Sequence, residues 1–198
     1  MLGSITPLGE RGRNRRWGIT VTTYVIGSVL GGVAIGGALG WLGATAGVGD
    51  LNVAVRLGAL AVVVAIGTVL DLRLGGLRLP TVHRQVNEDW MVRYRSWVYG
   101  LGFGLQLGLG VVTIVTTSAI YAMLLAAALC GSAATGALIG GVFGFERAAI
   151  VFSVAGVTRP EQLGRADVLL RRWDGRTRRA AICVTGALSM ALTVGAVR

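Results

Sequence analysis

The sequence contains no lysine, one histidine and two cysteines, and only 14% of its 198 residues are charged. One histidine and two distant cysteines, Cys130 and Cys183, form no cluster that would hold a structural zinc ion, so we expect no metal and no other cofactor. We find no nucleotide-binding loop and no catalytic triad, and we expect that the protein is not an enzyme. A soluble domain usually carries about 25% charged residues, so this chain has too few for a water-exposed surface.

Apolar residues and glycine make up most of the sequence instead. Hydrophobic residues account for 54% of the chain, 32 residues are glycine, and the mean hydropathy is +0.69. A bilayer accepts apolar surface that faces outward, and in lipid glycine lets helix backbones approach closely. We therefore predict an all-α, multi-pass transmembrane bundle in the cytoplasmic membrane.

Five apolar stretches are candidates for membrane spans, because about 20 helical residues cross about 30 Å of hydrocarbon. The first and third hold about 30 residues each, so they must tilt, project from the hydrocarbon or break. Five glycines between Gly100 and Gly110 favour a kink or an unwound turn in the third. After a basic tail at residues 1–16, the predicted spans cover residues 17–46, 51–72, 97–129, 135–157 and 180–197, which form a single domain.

Arginine occurs in bursts between these stretches. Sixteen of the 19 arginines lie in the tail and in two loops, residues 73–96 and 158–179, and the other two loops contain none. The positive-inside rule therefore places the N-terminus and both basic loops in the cytoplasm and the C-terminus outside. The arginines account for the net charge of +10, and we expect them to meet anionic lipid headgroups rather than nucleic acid.

Large aromatic residues accompany the basic loops. Trp90, Tyr94 and Trp97 share one helical face, which indicates either an aromatic belt at the membrane interface or a stripe that docks a protein partner. In the second loop, Trp173 lies on the apolar face of a predicted amphipathic helix that rests on the lipid surface. A turn is predicted at residues 174–175.

Small residues recur at intervals of four in the first and fourth spans, a pattern that lets two membrane helices pack closely. It predicts either tight packing inside one bundle or contact between copies in a homo-oligomer. The residues are Gly27, Gly31, Gly32, Gly36, Gly40, Gly136, Gly140 and Gly144.

Glu146 and Arg147 are adjacent charged residues near the middle of the fourth span, where insertion of one charge costs at least about 2.5–3.5 kcal/mol. They indicate either a pathway for an ion, a proton or a polar solute, or a structural ion pair that fixes the register of the helices. Polar side chains of the third span are candidates to complete such an intramembrane site: Gln106, Thr113, Thr116 and Thr117.

The stretch from Tyr99 to Gly156 begins YGLGFGLQLGLG and ends GALIGGVFGFERAAIVFSVAG. It resembles the second repeat of CcdA/DsbD-type membrane proteins, which are similar to the LysE superfamily of small-solute exporters. The resemblance covers about residues 20–157, including LGGLRLP at residues 74–80. It implies that family's scaffold without its first span, which matches five spans that start inside and end outside.

The redox chemistry of that family depends on Pro-Cys motifs in its first and fourth spans. This chain lacks the first of those spans, and it has Gln106–Gly110 where the second motif would stand. The resemblance therefore implies a scaffold without redox cysteines, and we expect a transporter or permease-like protein for a small solute or ion. The alternative is a non-enzymatic membrane subunit or assembly partner of a cell-envelope complex.

Overall fold

The computed structural model describes residues 5–72, 93–110 and 118–197, and these residues are predominantly helical and contain no strand. The predicted all-α class is confirmed for them. Short 3₁₀ turns occur at Val48–Asp50 and Ile150–Val154. In chain order the helices are α1 (Pro7–Gly12), α2 (Trp17–Thr45), α3 (Val53–Asp71), α4 (Ser96–Leu109), α5 (Ala119–Leu129), α6 (Ala133–Ala149) and α7 (Pro160–Val197).

Three helical segments are long and apolar enough to cross a membrane. They are Trp17–Thr45, Val53–Asp71 and Ala133–Val154, and two shorter apolar helical stretches lie at Ala119–Leu129 and Ile182–Ala196. These segments fit a membrane protein. The number of five spans and their orientation stay predictions.

Two helices, α4 and α5, stand where the sequence predicted one long third span. Helix α4 ends at Leu109 because Gly110 adopts a positive φ of 72°, a left-handed conformation that cannot continue a right-handed helix. Helix α5 begins at Ala119. The glycines before Gly110 do not interrupt α4, which is helical from Ser96 to Leu109.

Helix α7 covers both the predicted cytoplasmic loop at 158–179 and the predicted span at 180–197. The turn predicted at residues 174–175 is wrong, since the helix continues through Gly175. An isolated glycine lowers helix stability by about 1 kcal/mol relative to alanine, and that cost is too small to end a long helix.

Helix α2 is the central helix, and glycines on two of its faces bring its neighbours unusually close. Toward α4, Gly27 and Gly31 lie against backbone carbonyls of α4, and a Cβ atom at either glycine would overlap them. Toward α6, Gly32 lies against Gly140 and Gly36 lies against Gly136 in the same manner. The backbones of three helices therefore touch along most of the length of α2.

Helix α6 also has small residues where it contacts α2. Gly40 packs against the Ser132 carbonyl at the start of α6, and Gly144 packs against the Ser28 carbonyl near the other end. The Ser28 hydroxyl donates a hydrogen bond of 2.7 Å to the Gly144 carbonyl, which ties α2 to α6. All eight glycines of the predicted ridges thus lie in contacts inside one chain.

The outer layer consists of α5, α3 and α7. Helix α5 packs against α2, α3 and α6, and α3 in turn packs against α7. The Ser189 hydroxyl donates to the Ala61 carbonyl at 3.3 Å, which joins α7 to α3.

We expect Gly32→Ala to destabilise the protein by about 1–3 kcal/mol, since its methyl group would overlap the α6 backbone. Gly18→Ala is a matched control in the same helix, because a Cβ atom there meets nothing within 4 Å. Thermal unfolding of the purified variants in detergent checks this. A melting temperature for Gly32→Ala equal to that of Gly18→Ala would contradict the packing.

Candidate functional site

Arg147 lies in the last turn of α6 and reaches across to the end of α4. Its Nη1 donates to the Leu107 carbonyl at 3.1 Å, and its guanidinium lies over the Phe143 ring at 5.5 Å. The last carbonyls of a helix have no partner within that helix, and a cation matches the negative end of its dipole. Arg147 therefore adds a charged donor to the Leu107 carbonyl, which also accepts the Gly110 N–H at 3.1 Å.

Asp71, at the end of α3, accepts hydrogen bonds at the N-terminal end of α5. Both of its carboxylate oxygens accept from the Ser118 backbone N–H at 3.1 Å, and one accepts from the Ser118 hydroxyl at 2.6 Å. Ser118 is the N-cap of α5. A carboxylate at the N-terminus of a helix meets free N–H groups and the positive end of the dipole.

Arg56, near the start of α3, lies at the opposite end of α5. Its Nη1 is 3.5 Å from the Leu129 carbonyl, in the last residue of α5. Arg56 and Asp71 are separated by roughly 22 Å along α3, while the 11 residues of α5 extend about 16 Å. Helix α5 therefore runs antiparallel to α3, with Asp71 at its N-terminal end and Arg56 at its C-terminal end.

The adjoining ends of α4 and α5 are close in space. A Cβ atom built on Gly110 would lie 3.5 Å from Ile120 Cγ2 in the first turn of α5, and 3.8 Å from Arg147 Nη1. The break therefore brings together the carbonyl end of one helix, the N–H end of another and charged side chains from two more. We name this set the helix-break site; it consists of Asp71, Leu107, Gly110, Ser118 and Arg147.

The other residues predicted for an intramembrane site are distributed differently. Glu146 is exposed on α6, on another side of that helix from Arg147, and Gln106 is half-buried on α4. Arg147 contacts the end of α4, whereas Glu146 forms no ion pair or hydrogen bond within the described ranges 5–72, 93–110 and 118–197. The remaining three candidates lie outside the described residues: Thr113, Thr116 and Thr117.

The predicted interfacial aromatic residues are only partly described. Tyr94 and Trp97 are exposed just before and within the first turn of α4. Trp90 and the side chain of Trp173 lie outside what the structure describes. An aromatic belt at the membrane interface and a stripe that docks a protein partner both stay predictions.

A second polar cluster was not predicted, and it lies where the sequence indicated only a basic tail. Glu10 of α1 is fully buried and accepts hydrogen bonds from the Tyr99 hydroxyl and, at 2.7 Å, from the Thr20 hydroxyl. Arg13 forms an ion pair with the same carboxylate at 2.9 Å. We name Glu10, Arg13, Thr20 and Tyr99 the latch cluster, since it joins α1 to α2 and α4.

Apolar contacts accompany the latch cluster. Ile5 is buried in one hydrophobic cluster with Phe103 and Val151, and the Trp17 indole N–H donates to the Ile5 carbonyl at 3.2 Å. Residues 5–12 therefore pack onto the end of the bundle. The signal available in the sequence is Thr6-Pro7, an N-cap followed by proline at the first helical position.

We expect Glu10→Gln to release this segment, because glutamine removes the negative charge that pairs with Arg13 and provides one acceptor oxygen in place of two. A buried hydrogen bond to a charged group contributes about 1.5–3 kcal/mol, so the opened fraction should rise about tenfold or more. Trypsin cleavage after Arg11 and Arg13 measures that fraction. Glu161→Gln, at an exposed carboxylate, is the control, and equal cleavage rates in both variants would refute the latch.

Arg147→Met should destabilise the purified protein, since it removes a charged donor from the Leu107 carbonyl, which then keeps only the Gly110 N–H as a partner. Glu146→Gln, one residue earlier, should leave the melting temperature unchanged because its side chain is exposed. Thermal unfolding in detergent separates the two. If both variants unfolded at the same temperature as the parent protein, Arg147 would not stabilise the break.

Comparison with known proteins gives three similar curated proteins, each named Methylamine utilization protein MauF. The chain is 32% identical to the one from Paracoccus versutus over 123 residues, covering 61% of this chain and 42% of that protein. It is 33% identical to the one from Methylobacillus flagellatus over 106 residues (52% and 36%) and 34% identical to the one from Paracoccus denitrificans over 125 residues (62% and 43%). The chain thus spans less than half the length of these relatives. No protein-family model and no solved structure matches it.

Proposed function

We propose that this chain is a transporter or permease-like protein of the cytoplasmic membrane that moves a small solute or ion, and that it is not an enzyme. The helix-break site carries this proposal. In membrane transporters, substrate sites are typically formed where spanning helices are discontinuous, because the helix ends there offer N–H groups and carbonyls to a solute. Helices α4 and α5 present such ends side by side.

The lengths of the two helices support an intramembrane position for the break. Helix α4 has 14 residues and extends about 21 Å, and α5 has 11 residues and extends about 16 Å. Neither crosses about 30 Å of hydrocarbon alone, but the two in sequence would. Their adjoining ends then fall inside the bilayer, where each unsatisfied backbone group costs several kcal/mol.

The relatives supply the first solute to test. Their name refers to the utilization of methylamine. A methylammonium ion donates hydrogen bonds and carries a positive charge, and a carboxylate such as that of Asp71 would accept these hydrogen bonds. We therefore propose a small amine as the solute class.

We further propose five spans with the N-terminus inside, on the distribution of the arginines. In a variant without native cysteines, a membrane-impermeant thiol reagent applied to intact cells should label Gly49→Cys. It should label Arg93→Cys and Glu161→Cys only after the cells are permeabilised. Labelling of either of the last two in intact cells would reverse or rearrange the topology.

Transport itself is tested in vesicles that contain the purified protein. We expect uptake of labelled methylamine above that of protein-free vesicles, at a pH where the amine is protonated. Asp71→Asn removes the charge but keeps an acceptor for Ser118, and it should reduce uptake at least tenfold while the protein remains folded. Glu161→Gln should transport as the parent protein does.

Each result has a distinct meaning. Equal uptake by Asp71→Asn and the parent protein would reject the helix-break site as the route. Folded protein that gives no uptake would reject the amine as the solute. If removal of the protein also abolished a cell-envelope complex, that result would favour the alternative function, a membrane subunit or assembly partner.

A further inference from the structure

Four charged residues lie in the three candidate membrane spans, and three of them contact helix ends inside the chain. Arg56, Asp71 and Arg147 reach backbone groups of α4 or α5. The fourth, Glu146, is exposed on α6 and has no ion-pair or hydrogen-bond partner in the part of the chain that the structure describes. Glu146 is therefore a charge in a candidate span to which the described residues 5–72, 93–110 and 118–197 provide no ion-pair or hydrogen-bond partner.

The depth of Glu146 makes this exposure costly. Within the candidate span Ala133–Val154, it lies roughly 20 Å from the first residue and about 12 Å from the last. A charged side chain inside the hydrocarbon costs at least about 2.5–3.5 kcal/mol. Lysine and arginine reduce such a cost by extending long stems to the interface, and a glutamate side chain is too short to do so.

The surroundings of Glu146 form an apolar stripe. Leu138 and Val142 precede it at intervals of four residues and are 68% and 60% exposed, and the adjacent Phe145 is 53% exposed. Exposed apolar side chains are ordinary on a surface that faces lipid, whereas a carboxylate among them is not. We name Leu138, Val142, Phe145 and Glu146 the Glu146 face.

We propose that the Glu146 face binds a transmembrane helix of a different protein, and that a lysine or arginine of that helix pairs with Glu146 within the bilayer. Charge complementarity selects this occupant, since ionisable residues in membranes characteristically pair with one another. Small polar and apolar side chains of the partner would complete the packing. This inference is independent of the transport proposal.

A second copy of the chain is a poorer occupant. In a symmetric dimer each copy uses the same face, so two Glu146 carboxylates would approach each other. The neighbouring cation, Arg147, is engaged with the Leu107 carbonyl and the Phe143 ring of its own chain. The dimer therefore offers like charges where the proposed partner offers an ion pair.

The test is site-specific photo-crosslinking in the native host with the full-length protein. A photoreactive amino acid at Val142 should crosslink to a peptide from a membrane-spanning segment that contains lysine or arginine. Combining it with Glu146→Gln should reduce that product at least tenfold while the protein level stays constant. The same photoreactive residue at Val62, which is exposed on α3, should not give the product.

A charge exchange completes the test. Glu146→Lys should abolish the crosslink, and replacement of the partner's mapped cation by glutamate should restore it. A crosslink to a second copy of this chain would overturn the proposal. The proposal would equally fail if Val142 gave no protein product, or if Glu146→Gln left the product unchanged.

Discussion

The direct contact between the backbones of α2, α4 and α6 is the constraint on which the rest of the structure depends. Glycines on two faces of α2 allow α4 and α6 to approach it at distances that a methyl group would prevent. Both neighbours are thereby held at fixed positions on either side of one helix. Only then can Arg147, on α6, reach the Leu107 carbonyl on α4.

Arg56, Asp71 and Arg147 follow from a second constraint. A helix that ends in an apolar environment must have its terminal backbone groups satisfied by other parts of the protein. Each cation is placed at the carbonyl end of a helix, and Asp71 is placed at an N–H end. The signs agree with the helix dipoles at all three places. Three charged side chains thus satisfy backbone groups at the ends of α4 and α5.

The sequence predicted the helical class, the main apolar segments and the glycine ridges, because these depend on composition and on intervals of three and four residues. It placed a kink or an unwound turn among the five glycines between Gly100 and Gly110, and α4 ends at the last of these, but it did not single out Gly110. Gly104 and Gly108 are needed for contact with α2, where their Cβ atoms would overlap the carbonyls of Tyr24 and Ser28. Glycine content alone does not distinguish a glycine that packs from one that ends a helix.

The partners of the charged residues also could not be predicted from local sequence patterns. The sequence indicates both Glu146 and Arg147 as candidates for an intramembrane site, and because consecutive helical residues point about 100° apart, only the position of α4 decides which of them is engaged. Glu10 was not selected at all, since its burial depends on Tyr99, 89 residues further along the chain. Local patterns contain no information on such partners.

The two polar clusters hold α4 at opposite ends. Tyr99, near its start, bonds to Glu10, and Leu107, near its end, bonds to Arg147, while α2 packs along its middle. Helix α5 is held at its ends by α3 instead. Helix α5 also touches α2, since a Cβ atom on Gly43 would overlap the Ala128 carbonyl, so α4 and α5 are held against the same helix. The Arg147–Leu107 contact joins α4 to α6 as well, and the Asp71–Ser118 contact joins α5 to α3. If solute passes between these helices, the Arg147–Leu107 and Asp71–Ser118 contacts are the polar groups that it would meet at the break.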